Sequence, residues 1–402
     1  MYPRKLDAYS AFRSRDYRLL LAGLFLSNFG MQMLSLAVSW DLYIRTRSPL
    51  ILGNVGFVQV APFLLFALFA GHVADRYDRR RTMVLTQLLV LAAAVPLLMG
   101  FRSVPVVYSC LFLIAFGRAF QWPARQSLLP HIVSPDALRN AITWNSSAQE
   151  ISSISGPALA GILLATKGSG IVYIIQVVCA CLALACFFAV RYRSKPVVDA
   201  PAPTAKSLLE GMNFVRNNKL ILSAISLDLF AVLFGGATAL LPIYAADILH
   251  AGARGLGWLR TAPSVGSVTM ALVLAHSPRI RQAGKALLWT VAGFGAATIA
   301  FGLSRWLWLS LAMLVLVGAF DNVSVVLRQS LLQTKTPDYV RGRVLAFSSI
   351  FISSSNQFGA VESGWTAAWF GPTVSVAGGG LATIAVVLIC ATVSAQLRKW
   401  KQ

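Results

Sequence analysis

The sequence predicts an all-α integral membrane protein with twelve transmembrane helices in two pseudo-symmetric six-helix bundles. Three observations predict this class: the composition, the number of long apolar stretches and an internal repeat. The 402 residues are 57% hydrophobic and only 12% charged, with a mean hydropathy of +0.68, whereas a soluble protein carries about twice that share of charge. Backbone polar groups in lipid must be paired within their own segment, so apolar spans of this kind are helices.

Twelve stretches are long and apolar enough to cross a bilayer, which takes about 20 residues per helix. The basic N-terminal segment leads into a long first span without a small-residue cleavage site, so we do not expect a cleaved signal peptide. We place the spans at roughly residues 18–43, 49–70, 82–101, 105–124, 140–166, 169–190, 219–247, 255–276, 285–303, 306–329, 344–370 and 373–395.

The formal charge of +21 suggests nucleic-acid binding, but the distribution of the basic residues indicates membrane topology instead. With the N-terminus in the cytoplasm, about 27 of the 35 Lys and Arg residues fall at cytoplasmic ends of the spans. This asymmetry is the positive-inside bias. It predicts a multi-pass protein with both termini in the cytoplasm and no nucleic-acid partner.

The two halves of the chain repeat. A polar stretch, residues 191–218, separates bundles at residues 1–190 and 219–402, and it contains a predicted short amphipathic helix at 207–215. The halves match at an offset of 201 to 203 residues, which indicates a duplicated six-helix unit. The matches pair residues 60–62 with 261–263, 123–129 with 326–332, 135–136 with 337–338, and 146–147 with 348–349.

Residues Gly71 to Arg81 read Gly-His-Val-Ala-Asp-Arg-Tyr-Asp-Arg-Arg-Arg between two uncharged stretches. Such dense charge between membrane-length apolar runs predicts a tight loop at the membrane surface. Its pattern resembles the signature between the second and third helices of the Major Facilitator Superfamily, although Asp78 stands where that pattern usually has glycine. The resemblance implies transport by alternating access, with substrate bound between two parallel bundles near the bilayer midplane.

The resemblance also implies a role for this loop as a conformational latch. Asp75 would cap or pair with a helix end, and the arginines would hold the loop at the anionic surface; the alternative is a basic loop that only fixes topology. The positions that carry the implied role are Gly71, Asp75, Arg76, Arg79 and Arg80.

Span five contains Ser152-x-x-x-Gly156-Pro157-x-x-Ala160-Gly161, which resembles the antiporter signature of the superfamily with alanine at one usual glycine. Small residues allow helices to approach closely, and proline bends a helix. Gly156, Pro157 and Gly161 are therefore candidates for a conformational role, the alternative being ordinary small-residue packing.

Span four contains Arg118-x-x-Gln121, which resembles the buried-arginine motif of the superfamily, although Trp122 replaces the usual glycine. An arginine inside a span costs about 2.5–3.5 kcal/mol on insertion scales, so it needs a partner. Glu150 in the adjacent span is the candidate, in either a structural or a proton-coupling pair.

Carboxyl groups inside the spans are candidates for proton coupling. Burial disfavours the charged form of a carboxyl group, so such a group can exchange a proton near neutral pH. We expect Asp228, Asp321 and Glu362 to couple transport to protons, with Glu150 and Arg118 as the next candidates. Asp41 lies close to the external face, so contact with water alone could account for an acid there.

Polar residues on the same spans are candidates for lining a substrate cavity, although any single one is as consistent with an interhelical hydrogen bond. We find no phosphate-binding loop, metal-ligand cluster or catalytic nucleophile, so we expect neither an enzyme nor a cofactor. We expect a proton gradient to supply the energy for transport. The cavity candidates are Asn28, Gln32, Gln59, Asn145, Gln149, Asn322, Asn356 and Gln357.

Further stretches resemble the bacterial drug:proton antiporter branch of the superfamily, which includes the enterobactin exporter. The resemblance implies a monomeric, proton-coupled exporter of small amphiphilic molecules in the bacterial inner membrane. Arg118 is nearly the only cation within the spans, which favours neutral or cationic substrates. A siderophore exporter is the alternative within this branch, and a non-coupled facilitator or a receptor is the alternative outside it. The stretches are residues 144–147, 228–232, 240–244, 341–343, 353–357 and 362–364.

Overall fold

The structure is a computed structural model that describes residues 8–192, 205–278 and 280–400. Within these residues every regular element is a helix. Ten helical stretches in this part of the chain are long and apolar enough to cross a membrane. The predicted all-α membrane class is confirmed.

Six long helices form the first half, one for each of the first six predicted spans. A short 3-10 helix, Ser10–Arg13, precedes them. The helices are α1 (Arg15–Thr46), α2 (Pro49–Arg76), α3 (Arg79–Leu98), α4 (Val104–Ile132), α5 (Leu138–Lys167) and α6 (Ser169–Ala189).

The second half begins with a short helix at the position of the predicted amphipathic one, while the linker residues 193–204 lie outside the described residues. The helices are α7 (Ala205–Asn217), α8 (Lys219–Phe234), α9 (Leu241–Ile243), α10 (Gly252–His276), α11 (Ala283–Leu303), α12 (Leu307–Lys335), α13 (Asp338–Phe370), α14 (Pro372–Val393) and α15 (Ala395–Lys399).

The seventh predicted span is helical but broken. Helix α8 ends at Phe234, and a 3-10 helix, the short α9 and a π-helical turn, Tyr244–Ile248, complete the span. Gly235 and Gly236 stand at the break, where glycine is a poor helix former, and Pro242 follows them. The prediction of one continuous helix was wrong here because it rested on hydropathy and ignored these residues.

Two of the twelve predicted spans, α5 and α10, form long helices that fall outside the ten apolar stretches. Helix α5 carries Asn145, Gln149 and Glu150 within its first half. Polar residues of this kind lower the hydropathy of a helix that faces a bundle interior rather than lipid.

The first compact unit comprises Met1–Ala37, Pro62–Leu163 and Lys167–Ala202. Its N-terminal end is fixed to α5, because the Tyr17 hydroxyl donates to the Ala141 carbonyl at 3.0 Å. The Asp16 carboxylate accepts the backbone N–H groups of Arg191 and Tyr192 at 3.1 and 2.9 Å. The start of α1 therefore ties the end of α6 and the start of α5 together.

The second compact unit comprises Val38–Ala61, Leu164–Thr166 and Pro203–Gln402, so it includes the end of α1 and the first half of α2. There Arg47 forms an ion pair with Asp247 at 2.6 Å, and the Tyr43 hydroxyl donates to the same carboxylate. The indole N–H of Trp365 donates to the Asn54 side chain at 3.0 Å.

Helices α1 and α5 cross closely at Gly156 in the first unit. A Cβ atom at this position would lie 2.7 Å from Cβ of Gln32 and 3.2 Å from the Phe29 carbonyl oxygen. Pro157 and Gly161 are also buried. The predicted small-residue face of α5 is therefore the face on which α1 packs at this point.

Replacing Gly156 with alanine should separate α1 from α5, because the added methyl group has no room. Overpacking of this kind costs about 1–3 kcal/mol, so we expect a lower thermal unfolding midpoint for the purified variant in detergent. Gly170→Ala is the matched control, since nothing lies within 4 Å of the added atom there. Equal midpoints for the two variants would show that this crossing tolerates a side chain.

Candidate functional site

A polar cavity lies within the first unit, between α1, α4 and α5, with a volume of about 140 Å³. It contains three of the eight predicted cavity residues, Asn28, Gln32 and Gln149. All of its lining residues are Leu24, Ser27, Asn28, Met31, Gln32, Arg118, Gln121, Trp122, Arg125, Gln149 and Ser153.

Helix geometry accounts for the members of this set. Arg118, Gln121 and Arg125 follow one another at intervals of three and four residues, which places them on one face of α4. Gln149 and Ser153 are one turn apart on α5 in the same way. The cavity is therefore formed by one polar stripe from each of two helices, closed by α1.

Hydrogen bonds hold the uncharged polar side chains in place. Gln87 on α3, which is fully buried, accepts hydrogen bonds from Ser27 at 3.1 Å and from Gln121 at 3.2 Å. Its own amide donates to the Ala180 carbonyl at 3.3 Å. Gln32 donates to Ser153 at 3.0 Å across the cavity. These residues form a rigid polar wall.

Arg118 and Arg125 are the charged residues of the cavity, and no acidic residue lines it. Within the described residues, neither guanidinium forms an ion pair or a hydrogen bond. The Arg125 guanidinium carbon lies 5.3 Å from the centre of the Trp122 ring, a cation–π distance. The cavity thus holds two positive charges without a countercharge.

The expected Arg118–Glu150 pair is not formed, and this prediction was wrong. Glu150 is exposed, and it follows Gln149 by one residue, which rotates it about 100° around α5 away from the cavity. Adjacency of two spans does not show which faces meet.

Sequence reasoning missed Arg125 because it counted this residue among those at the cytoplasmic ends of the spans. The structure places it in α4 seven residues after Arg118, on the same cavity. The signal was present in the repeat, since Arg125 matches Arg328 at an offset of 203.

A second, much smaller cavity of about 10 Å³ lies in the second unit between α8, α11 and α12. It contains two predicted coupling residues, Asp228 and Asp321, together with Ser324. Asp228 forms an ion pair with Arg328, and the exposed fractions of these side chains are 6% and 2%. In the described part of the chain, Asp321 has no ion pair or hydrogen bond, and the buried Ser324 hydroxyl has no hydrogen-bond partner.

The remaining predicted site residues lie outside both cavities. Glu362 is half-buried beside Ser363 on α13, and Asp41 is half-buried on α1. Asn356 donates to the Ile352 carbonyl of its own helix at 2.9 Å. Gln59, Asn322 and Gln357 are half-buried, and Asn145 is buried.

The predicted loop from Gly71 to Arg81 is mostly helical, because α2 extends to Arg76 and α3 begins at Arg79. At the start of α3, two arginines bind backbone rather than only facing the membrane surface. Arg79 donates to the Ser127 carbonyl at 3.2 Å, and Arg80 donates to the Phe188 carbonyl at the end of α6. Asp78 caps α3 by accepting from the Arg81 N–H at 2.9 Å. Gly71 is half-buried and Arg76 exposed, while the side chain of Asp75 lies outside the described residues.

Comparison with known proteins decides the family. The family model described as transmembrane secretion effector matches residues 6–402. The chain belongs to this family of the Major Facilitator Superfamily. It is therefore a multi-pass membrane transporter and not an enzyme.

Curated relatives are similar over most of their length. The enterobactin exporter EntS of Shigella boydii serotype 4 is 24% identical, covering 96% of this chain and 93% of EntS. The staphyloferrin A transporter of Staphylococcus aureus is 23% identical, covering 80% of this chain and 82% of the relative.

Solved structures show the same fold at low sequence identity. The POT family transporter PepTSo matches with a TM-score of 0.75 and 13% identity, covering 96% of this chain and 98% of PepTSo. The human organic anion transporter MFSD10 matches with a TM-score of 0.64 and 14% identity, covering 94% and 99%. These likenesses establish the superfamily fold of the transporter.

The Asp228–Arg328 pair should be required for stability. Removing one partner of a buried ion pair costs about 3–5 kcal/mol, because the other charge stays buried without compensation, whereas replacing both partners with apolar residues is often neutral. We expect Asp228→Leu to lower the unfolding midpoint strongly and Asp228→Leu/Arg328→Met to restore most of it.

The matched control is the exposed pair Arg341–Asp338, at 2.5 Å, which should contribute less than about 1 kcal/mol. The measurement is thermal unfolding of purified variants in one detergent. A double variant as unstable as Asp228→Leu would argue that the two charges do not compensate each other.

Proposed function

We propose that this transporter exports small anionic metal-chelating molecules of the siderophore class across the bacterial inner membrane by alternating access. The printed functions of two relatives, an enterobactin exporter and a staphyloferrin A transporter, support the substrate class. The observation that carries it is the pair of guanidiniums in the first-unit cavity, Arg118 and Arg125, which have no ion-pair partner among the described residues.

Arg118 is exposed and Arg125 half-buried in this cavity, and neither has a countercharge among the described residues. An anion in the cavity would meet both positive charges, and the guanidinium group is suited to bind it because its planar fork matches carboxylate oxygens in two parallel hydrogen bonds. Siderophores present carboxylate or catecholate oxygens of this kind. The residues Asn28, Gln32, Gln121 and Gln149 supply uncharged hydrogen-bonding groups around the two cations.

This cavity reverses the substrate preference drawn from the sequence. Neutral or cationic amphiphiles were favoured because Arg118 was nearly the only cation within the spans. The structure places Arg125 beside it and no acid in the lining. A cationic drug would meet repulsion from two guanidiniums, so an anionic substrate is the better match.

Export of an anion also has a natural energy source in a cell that is negative inside. The membrane potential contributes about 2.3 kcal/mol per elementary charge per 100 mV in the outward direction. We also propose that transport is coupled to proton antiport and that the transporter is a monomer with both termini in the cytoplasm. The candidates for the proton-coupling group are Asp228, Asp321, Glu362 and Glu150.

Binding of anionic siderophores should depend on both cavity arginines. With purified protein, we expect Arg118→Gln and Arg125→Gln each to weaken binding of a catecholate or carboxylate siderophore about tenfold or more, because a hydrogen bond to a charged group contributes about 1.5–3 kcal/mol. Isothermal titration calorimetry measures these affinities. The uncharged methyl ester of the same carboxylate siderophore should bind weakly to the wild type and to both variants.

Arg102→Gln is the matched control, because that guanidinium binds Ser169 at 2.7 Å and packs on Tyr173, away from the cavity. Its siderophore affinity should equal that of the wild type. The proposal is wrong if the ester binds as tightly as the acid, or if both cavity variants retain full affinity.

A further inference from the structure

Two of the three helices around each cavity correspond in the repeat, α1 to α8 and α4 to α12, while the third is α5 in the first cavity and α11 in the second. The offset of 203 that relates Arg125 to Arg328 also relates Arg118 to Asp321 and Gln121 to Ser324. The offset of 201 found near the start of each half relates Ser27 to Asp228 and Met31 to Val232. In each of these last four pairs, one residue lines the first cavity and its counterpart lines the second.

The helices α4 and α12, which carry the first three of these pairs, match in length. Helices α4 and α12 both contain 29 residues. Arg118 and Asp321 are each the fifteenth residue of their helix, and Arg125 and Arg328 are each the twenty-second. The paired residues of α4 and α12 therefore lie at the same distance from the start of their helices.

The charges of the two cavities have diverged in opposite directions. The first cavity contains two arginines and a serine at these positions. In the second cavity Asp321 replaces the first arginine and Asp228 replaces the serine, while the second arginine is retained as Arg328. With all groups ionised, the first cavity carries two positive charges and the second a single net negative charge.

Within the second cavity, the two acids are not equivalent. Arg328 neutralises Asp228, and both side chains are almost completely buried. Asp321 has no such partner in the described residues, and the Ser324 hydroxyl, at 4% exposure, lines the same cavity without a hydrogen bond. A carboxyl group without a countercharge inside a membrane protein is stable when it holds a proton.

The neighbouring helices bring no other charge to this cavity. Helix α11 contributes Val291 and Phe294, and its ionisable residue, Lys285, lies near its start. Helices α10 and α13 contribute no lining residue. On α13, Arg341 and Arg343 pair with Asp338 and Glu210. The ionisable residues of α10 are Arg254, Arg260 and His276, and α13 adds Glu362.

We propose that the duplicated site has divided its work: the first-half copy binds the substrate anion through Arg118 and Arg125, and the second-half copy binds the coupling proton on Asp321. Asp228 is then the fixed countercharge of Arg328 rather than a proton carrier. The volume of about 10 Å³ supports this division, since it leaves room for a proton or one water molecule but not for an organic substrate. Only the first part of this inference, binding of an anion by the first-half copy, rests on the proposed substrate class.

Transport assays in proteoliposomes separate the two sites. For Asp321→Asn we expect loss of siderophore accumulation driven by a pH gradient, with exchange of labelled for unlabelled siderophore retained and affinity unchanged within about twofold. Asp321→Glu should keep gradient-driven accumulation. Asp338→Asn, which removes an exposed acid at the start of α13, is the matched control and should behave as wild type.

A second readout does not need the substrate. Infrared difference spectra of the purified protein, recorded between acidic and alkaline pH, should contain the carbonyl band of a protonated carboxylic acid that Asp321→Asn removes and Arg118→Gln preserves. If Asp321→Asn loses this band while Arg118→Gln and Arg125→Gln bind siderophore normally, Asp321 is supported as the proton site and the proposal of an anionic substrate is wrong.

Three outcomes would overturn the division. Gradient-driven accumulation by Asp321→Asn would exclude this residue as the coupling site. Accumulation driven by a sodium gradient without a pH gradient would replace the proton with a metal cation. Loss of siderophore affinity in Asp321→Asn, in a variant with an unchanged unfolding midpoint, would mean that substrate and proton do not use separate copies of the site.

Discussion

Some charges inside the helical halves are compensated by the protein and others are not, and this difference distinguishes the two cavities. Arg328 is compensated by Asp228 within the protein. Arg118 and Arg125 are compensated by nothing in the described residues. Arg118 is exposed and Arg125 half-buried in the cavity, so both guanidiniums are accessible to an anion. In the proposed function, the same two charges supply binding energy and select an anionic substrate.

In the proposed division, the internal repeat assigns two purposes to one duplicated arrangement. An arginine at the same depth of α4 and α12 is kept in both halves, while the residue seven positions before it is Arg118 in one and Asp321 in the other. Two equivalent positions account for the change of charge, since Asp321 stands in the place of Arg118 and Asp228 in the place of Ser27.

The sequence predicts much of the architecture because membrane helices are long and their hydropathy signal is strong. All twelve predicted spans are helical, and the one that is broken contains Gly235 and Gly236, which outweigh hydropathy locally. The family also follows from short motifs, above all the loop from Gly71 to Arg81, and the family model agrees.

The site was harder to predict because it depends on which face each helix presents. Gln149 lines the first cavity, while Glu150, one residue further along α5, does not. Arg125 was assigned to the membrane surface from its distance along the span. The pairing of Asp228 with Arg328 requires the packing of α8 against α12, which no local pattern encodes.

Cryo-electron microscopy of the transporter with a bound anionic siderophore tests the central claim most directly. The account predicts ligand density in the first-unit cavity, with anionic oxygens within hydrogen-bonding distance of both Arg118 and Arg125, and no ligand density beside Asp321. Density that contacts neither arginine, or that occupies the acidic cavity of the second unit, would contradict it.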